Sequence, residues 1–109
     1  MMESTPKEVL IYETADGKNP FEDWLIRMKD PVGRALIRKR INRVRLGNIG
    51  QNRSLGNGVW ELKIDFGPGY RVYYGEDGPR VVVLLCGGDK GSQDRDIARA
   101  KEYWRDYLA

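Results

Sequence analysis

From Trp60 to Tyr74 the chain reads WELKIDFGPGYRVYY, and its residues alternate. Trp60, Leu62, Ile64, Phe66, Tyr70, Val72 and Tyr74 are apolar or aromatic, while the positions between them carry Glu61, Lys63, Asp65, Arg71 and Tyr73. A period of two marks strands with one buried face. Gly67-Pro68-Gly69 interrupts it with a pre-set proline φ and a glycine able to take positive φ, so the segment predicts a β-hairpin. A three-residue turn pairs Phe66 with Tyr70. Asp65 then faces Arg71, Ile64 faces Val72 and Lys63 faces Tyr73. The apolar face must pack against helices, and the charged face lies on the side away from them.

The same reading extends along the chain. Residues 9–14, VLIYET, predict a first strand. Asn19-Pro20 opens a helix, with Asn19 as cap, Pro20 at the first helical position and Glu22 three residues after the cap. Phe21, Trp24, Leu25 and Met28 share its apolar face, and Asp30-Pro31 ends it. A second helix runs from about Val32 to Leu46, with Val32, Leu36, Ile37, Ile41 and Val44 as its stripe. Residues 47–58, GNIGQNRSLGNG, read as a long polar loop. Residues 80–86, RVVVLLC, are nearly all apolar and predict an interior strand buried on both faces. A last helix starts near Asp94 and buries Ile97, Ala100, Trp104 and Leu108. The order β-α-α-β-β-β-α gives a single α+β domain over residues 1–109: a four-stranded antiparallel or mixed sheet with helices packed on one face.

Composition narrows the chemistry. The 109 residues are 40% hydrophobic, enough for one modest core without disulfides. A single cysteine, Cys86, fits a reducing, cytoplasmic compartment and reads as a small buried strand residue. No apolar run is long enough for a membrane span, and the N-terminus lacks the apolar core of a secretory signal. There is no histidine, which removes the commonest general acid–base, most metal sites and every Ser-His-Asp arrangement. No metal or cofactor is expected. Catalysis would rest on carboxylates, lysine, arginine or tyrosine.

Charge is unevenly spread. The net charge is +3, but residues 31–60 hold seven basic residues and no acidic one. Six of them, Arg34, Arg38, Lys39, Arg40, Arg43 and Arg45, cover the second helix. Such a surface attracts phosphates or an acidic protein, or is simply a solvated helix face. The charged face of the hairpin is similarly open to two readings. Exposed cross-strand pairs contribute about 0.2–1 kcal/mol each. Lys63 and Arg71 are also what a phosphate-binding surface needs, a point charge and a planar fork.

Two stretches taken together, GVWELKIDFGPGYRVYY and VVVLLCGGDKGSQDRDIARAKEYW, resemble the RelE/ParE superfamily of toxins from type II toxin–antitoxin modules. Within it they are most similar to the HigB-like, phage-related branch of addiction module killer proteins. The resemblance covers nearly the whole chain. It implies a RelE-like fold and a metal-independent mRNA endoribonuclease that acts on the ribosome and inhibits translation. The ribose 2′-OH attacks the adjacent phosphate, leaving a cyclic phosphate and a free 5′-OH. The implied partners are the ribosome, mRNA and a cognate antitoxin, usually a helix-turn-helix protein of the Xre type, through which the complex would bind operator DNA.

Carried over position by position, the resemblance assigns catalysis to Lys63 as base or charge stabiliser, to Arg71 at the scissile phosphate, and to Lys90 in the loop before the last helix. Arg34, Arg38, Lys39, Arg43, Arg45 and Tyr73 are the expected RNA-binding residues. The chain departs from the RelE pattern at Glu61, where a second lysine is usual, and at Ile97, where a tyrosine is usual. Tyr73, Asp89 and Glu61 are the other groups available for proton transfer. ParE shares the fold but inhibits DNA gyrase without nuclease chemistry, and a third role is an antitoxin-binding corepressor.

Overall fold

The computed structural model of the protein describes residues 5–109. The elements are β1 (Glu8–Ile11), α1 (Pro20–Arg27), α2 (Pro31–Arg45), β2 (Asn52–Gly56), β3 (Val59–Ile64), β4 (Tyr70–Asp77), β5 (Val81–Gly88), a short 3-10 turn (Lys90–Ser92) and α3 (Gln93–Leu108). The five strands form one sheet in the order β1-β5-β4-β3-β2. β1 runs parallel to β5, and every other pairing is antiparallel. The α+β class holds, but the sheet has five strands, not four. The added strand, β2, lies within the stretch expected to be a loop.

The helices cover both faces of the sheet, not one. On the first face Phe21 and Leu25 of α1 and Ile37, Ile41 and Val44 of α2 pack on Leu62, Ile64, Val72, Tyr74, Val82 and Leu84. On the second, Ala100 and Trp104 of α3 pack with Tyr12, Val59, Tyr73, Val83, Leu85 and Cys86. β5 explains why two layers are needed. Its valines and leucines are apolar in both directions, so leaving either face bare would expose several large side chains, each about 1.5–3 kcal/mol to bury. Buried on both sides, β5 has the interior place its sequence predicts.

Local chemistry sets the element ends. Pro20 starts α1, although Asn19 forms no side-chain cap bond. Asp30 caps α2, its carboxylate accepting from the Gly33 amide at 2.9 Å. A bulge shifts the β4–β5 register between Tyr73 and Tyr74 and leaves Leu85 without a partner. Leu85 and Cys86 therefore both face α3.

Two glycines in the sheet seat tryptophans. The six-membered ring of Trp104 would lie 2.3–2.4 Å from a Cβ on Gly75, and that of Trp24 2.3 Å from a Cβ on Gly87. These glycines let a helix-borne ring lie directly on the backbone from opposite sides of the sheet.

Candidate functional site

The hairpin register differs from the expected one by two residues on one strand. Ile64 pairs with Tyr70, Lys63 with Arg71, Leu62 with Val72 and Glu61 with Tyr73. The turn is wider than three residues, with Gly67 at φ +56° and Gly69 at φ +79°. Phe66 accordingly leaves the ladder and is 37% exposed. Asp65 lies in the turn and does not face Arg71.

Lys63 and Arg71 stand opposite one another on neighbouring strands. Like charges in that relation are unfavourable unless an anion lies between or beside them. The anion is Glu61, also on β3. Its carboxylate accepts from Arg53 Nη2 at 3.0 Å and from Gln93 Nε2 at 3.2 Å, and its other oxygen lies 3.4 Å from Arg71 Nε. The last contact is an ion pair without hydrogen-bond alignment, and Arg71 Nε has no hydrogen-bond partner among the described residues. Arg71 Nη1 donates to the Gly69 carbonyl at 2.7 Å.

Glu61 and Arg71 are buried, at 4% and 7% exposure, so the charged face is no ordinary solvated surface. α3 covers part of it through Gln93. Lys63 is half-buried and forms no ion pair among the described residues. Together with Gln51, Asn52 and Arg53 these side chains line a cleft of about 390 Å³.

A second groove, about 540 Å³, adjoins the first through Gln51 and Lys63 and runs between β3 and α2. Lys39 and Arg43 line it. So does Arg40, which is fastened by donation to the Ile49 and Gln51 carbonyls. The other cations of α2 go elsewhere. Arg38 is paired with Glu22 at 2.8 Å, Arg45 donates to Asn42 at 2.7 Å, and both border a small pocket beside Ile11. Arg34 is half-buried and lines neither cleft nor groove. Of the five α2 residues expected to bind RNA, Lys39 and Arg43 lie beside Lys63.

Lys90 is exposed at the start of the 3-10 turn, which Asp89 caps through the Gly91 amide at 2.8 Å. Its amide donates to the Pro68 carbonyl at 3.4 Å, and its Cβ lies 3.7 Å from the Cβ position of Gly69. Lys90 thus stands at the hairpin turn, near the end of the ladder that carries Arg71.

Tyr73 is corrected. It is fully buried under α3, and its hydroxyl has no hydrogen-bond partner among the described residues. Burial, then the Glu61 and Asp96 carboxylates, pushes its phenol far above the ordinary tyrosine value. It can neither touch RNA nor accept a proton there. Gly87 and Gly88 are also not a loop: both belong to β5. Cys86 is buried, and its thiol is pushed up to about 12 by burial first and Asp96 second, so it is no nucleophile.

The cleft also holds residues outside the expected set: Arg53, Glu61 and Gln93. Glu61 was legible as a residue two positions from Lys63, hence on the same face. Arg53 and Gln93 carried no such signal, because they reach the cleft from a strand read as loop and from the first residue of α3.

These features define a small α+β protein with a helix layer on each face of a mixed sheet and a basic cleft on its β3–β4 hairpin. No family model matches the chain. An uncharacterized protein of Haemophilus influenzae (strain KW20 / Rd) is 47% identical over 81 residues, which are 74% of this chain and 82% of that protein. The chain belongs to the same family as that protein.

Proposed function

We propose that the protein is the toxin of a type II toxin–antitoxin module, a metal-independent, ribosome-dependent mRNA endoribonuclease with a RelE-like fold, acting in the cytoplasm and neutralised by a cognate antitoxin. The observation that carries the reading is the Lys63–Arg71 pair, two cations opposite one another in a cleft with one carboxylate.

Cleavage by the neighbouring 2′-OH needs a proton acceptor, positive charge on the pentavalent phosphate and help for the leaving 5′-oxygen. Lys63, with no internal partner, and Arg71, held from behind by Glu61, supply the charge. Glu61 is the proton acceptor within the cleft. Lys90, at the hairpin turn, serves the leaving oxygen. Lys39 and Arg43 continue the basic surface along the adjoining groove, where phosphate contacts give affinity without base readout.

The test is induced expression followed by primer extension on a translated mRNA. Cuts inside codons are expected, and Lys63→Ala and Arg71→Lys should each lower cleavage by about 10²–10³ while circular dichroism stays native. Unchanged cutting in both folded variants overturns the assignment.

One observation favours a second, non-nuclease reading: Arg71 is already engaged by Glu61 and the Gly69 carbonyl. A ParE-like inhibitor would leave mRNA intact and accumulate trapped gyrase–DNA complexes. An antitoxin-binding corepressor would do neither.

A further inference from the structure

β5 outruns its neighbour. The parallel register with β1 ends at Ile11 opposite Leu84, and the Tyr12 amide closes the ladder on the Leu84 carbonyl at 2.9 Å. β5 continues to Gly88. Its last four residues have β4 on one side and no strand on the other.

Cys86, Gly87 and Gly88 of that free edge line a cleft of about 1010 Å³ between α1 and α3. It shares no lining residue with the Lys63–Arg71 cleft. An unpaired edge of this kind is a template for another strand unless the fold covers it. Here the edge is neither covered nor guarded by a proline or an inward lysine.

The walls say what kind of strand it suits. Arg27 of α1, Arg95 and Arg99 of α3, and Lys18 border the cleft. The three arginines form no ion pair among the described residues, and Lys18 has only an exposed contact to Asp16 at 3.7 Å. Three carboxylates share the walls, but two are occupied. Asp89 caps the 3-10 turn, and Asp96 accepts from the Ser92 hydroxyl. Asp23 alone remains against four cations.

The aromatic rings at the cleft are also occupied. Trp24 lies on Gly87 and meets Tyr70 edge-on at 6.2 Å, and Tyr103 stacks on Tyr12 at 5.1 Å. No open ring face is left for a base, which disfavours single-stranded RNA.

We propose that this cleft takes an extended acidic segment of a partner protein, which adds as a strand to the free edge of β5, in line with β1, and sets its carboxylates against Arg27, Arg95 and Arg99. Main-chain bonds to the edge would give affinity and the arginines selectivity, as in other strand additions. The proposal stands apart from RNA chemistry at the hairpin and holds whether or not the protein cuts RNA.

The test is amide-resolved NMR of the full chain titrated with an acetylated peptide of alternating Val and Glu. Shifts should centre on Leu85–Gly88. The Arg95→Glu, Arg99→Glu double variant, with its spectrum otherwise native, should weaken binding about tenfold or more. The same peptide with alternate backbone amides N-methylated should not bind, because it cannot complete the ladder. The proposal is overturned if the Val–Glu peptide leaves those amides unmoved, if a Val–Lys peptide binds as well, or if the methylated peptide binds unchanged. It is equally overturned if an oligouridylate moves those amides and the acidic peptide does not.

Discussion

The Asp96 carboxylate occupies the space that a side chain at Gly88 would need: a Cβ built there would lie 1.8 Å from Asp96 Oδ2. Asp96 is buried on α3 and hydrogen-bonded by Ser92, so it cannot easily swing aside. Gly88→Ala should therefore destabilise the protein by about 1–3 kcal/mol, the usual range for overpacking. Urea unfolding monitored by circular dichroism measures it. A midpoint equal to that of the unsubstituted protein would show that α3 is not seated on β5 in this way.

The Glu61–Arg71 pair should be far more costly to break than the Glu61–Arg53 pair. Removing Glu61 strands a buried guanidinium, and Glu61→Ala should cost about 3–5 kcal/mol. Arg53 has 57% of its side chain exposed, so Arg53→Ala should cost about 0–1 kcal/mol. Thermal unfolding of the two variants side by side decides the ranking. Equal losses would mean that Arg71 draws little from Glu61.

Two tyrosines should tie stability to alkaline pH. Tyr12 donates to Asp106, and Tyr70 donates to Asp30 at 2.7 Å. Both phenols are pushed up to about 12, by burial first and by the carboxylate partner second. Below the ordinary value of 10.0 both are neutral in either state, and their contribution is complete. Between there and about 12 the unfolded chain ionises first, so stability falls as pH rises through that window. Phenolate absorbance should show Tyr12 and Tyr70 titrating late, and Asp106→Asn should bring Tyr12 down. The linkage is refuted if all six tyrosines ionise near 10 while the chain stays folded.

Much of this was legible because alternation survives errors of register. The true hairpin pairing differs from the expected one by two residues on one strand, and a shift of two leaves every side chain on its original face. Leu62, Ile64, Val72 and Tyr74 therefore fell where expected, and only Phe66 dropped out.

β2 was not legible. Its sequence, NRSLG, has no strand-forming run, and four of its five residues are exposed. An edge strand of that kind is held by backbone pairing to β3, which leaves no hydrophobic trace. The two helix layers were missed for a related reason. Glu61, Lys63 and Arg71 look like solvated positions in the sequence, yet Glu61 and Arg71 are buried in an ionic web reached from β2 and α3. Charge pattern alone does not reveal which polar residues will be covered by a distant helix.

The parallel seating of β1 beside β5 also bears on the order of events in synthesis. β1 is the first described strand to leave the ribosome, and its sheet partner is the last strand to follow. The two helices and three strands made in between can gather first, around the β3–β4 hairpin, but the sheet cannot close on its N-terminal side until residue 84 has emerged. Pairing across so long a stretch of chain is slow compared with the local hairpins. The N-terminal strand is thus a late closing piece, and a nascent chain halted before β5 would leave Val9, Leu10 and Ile11 without a docking place.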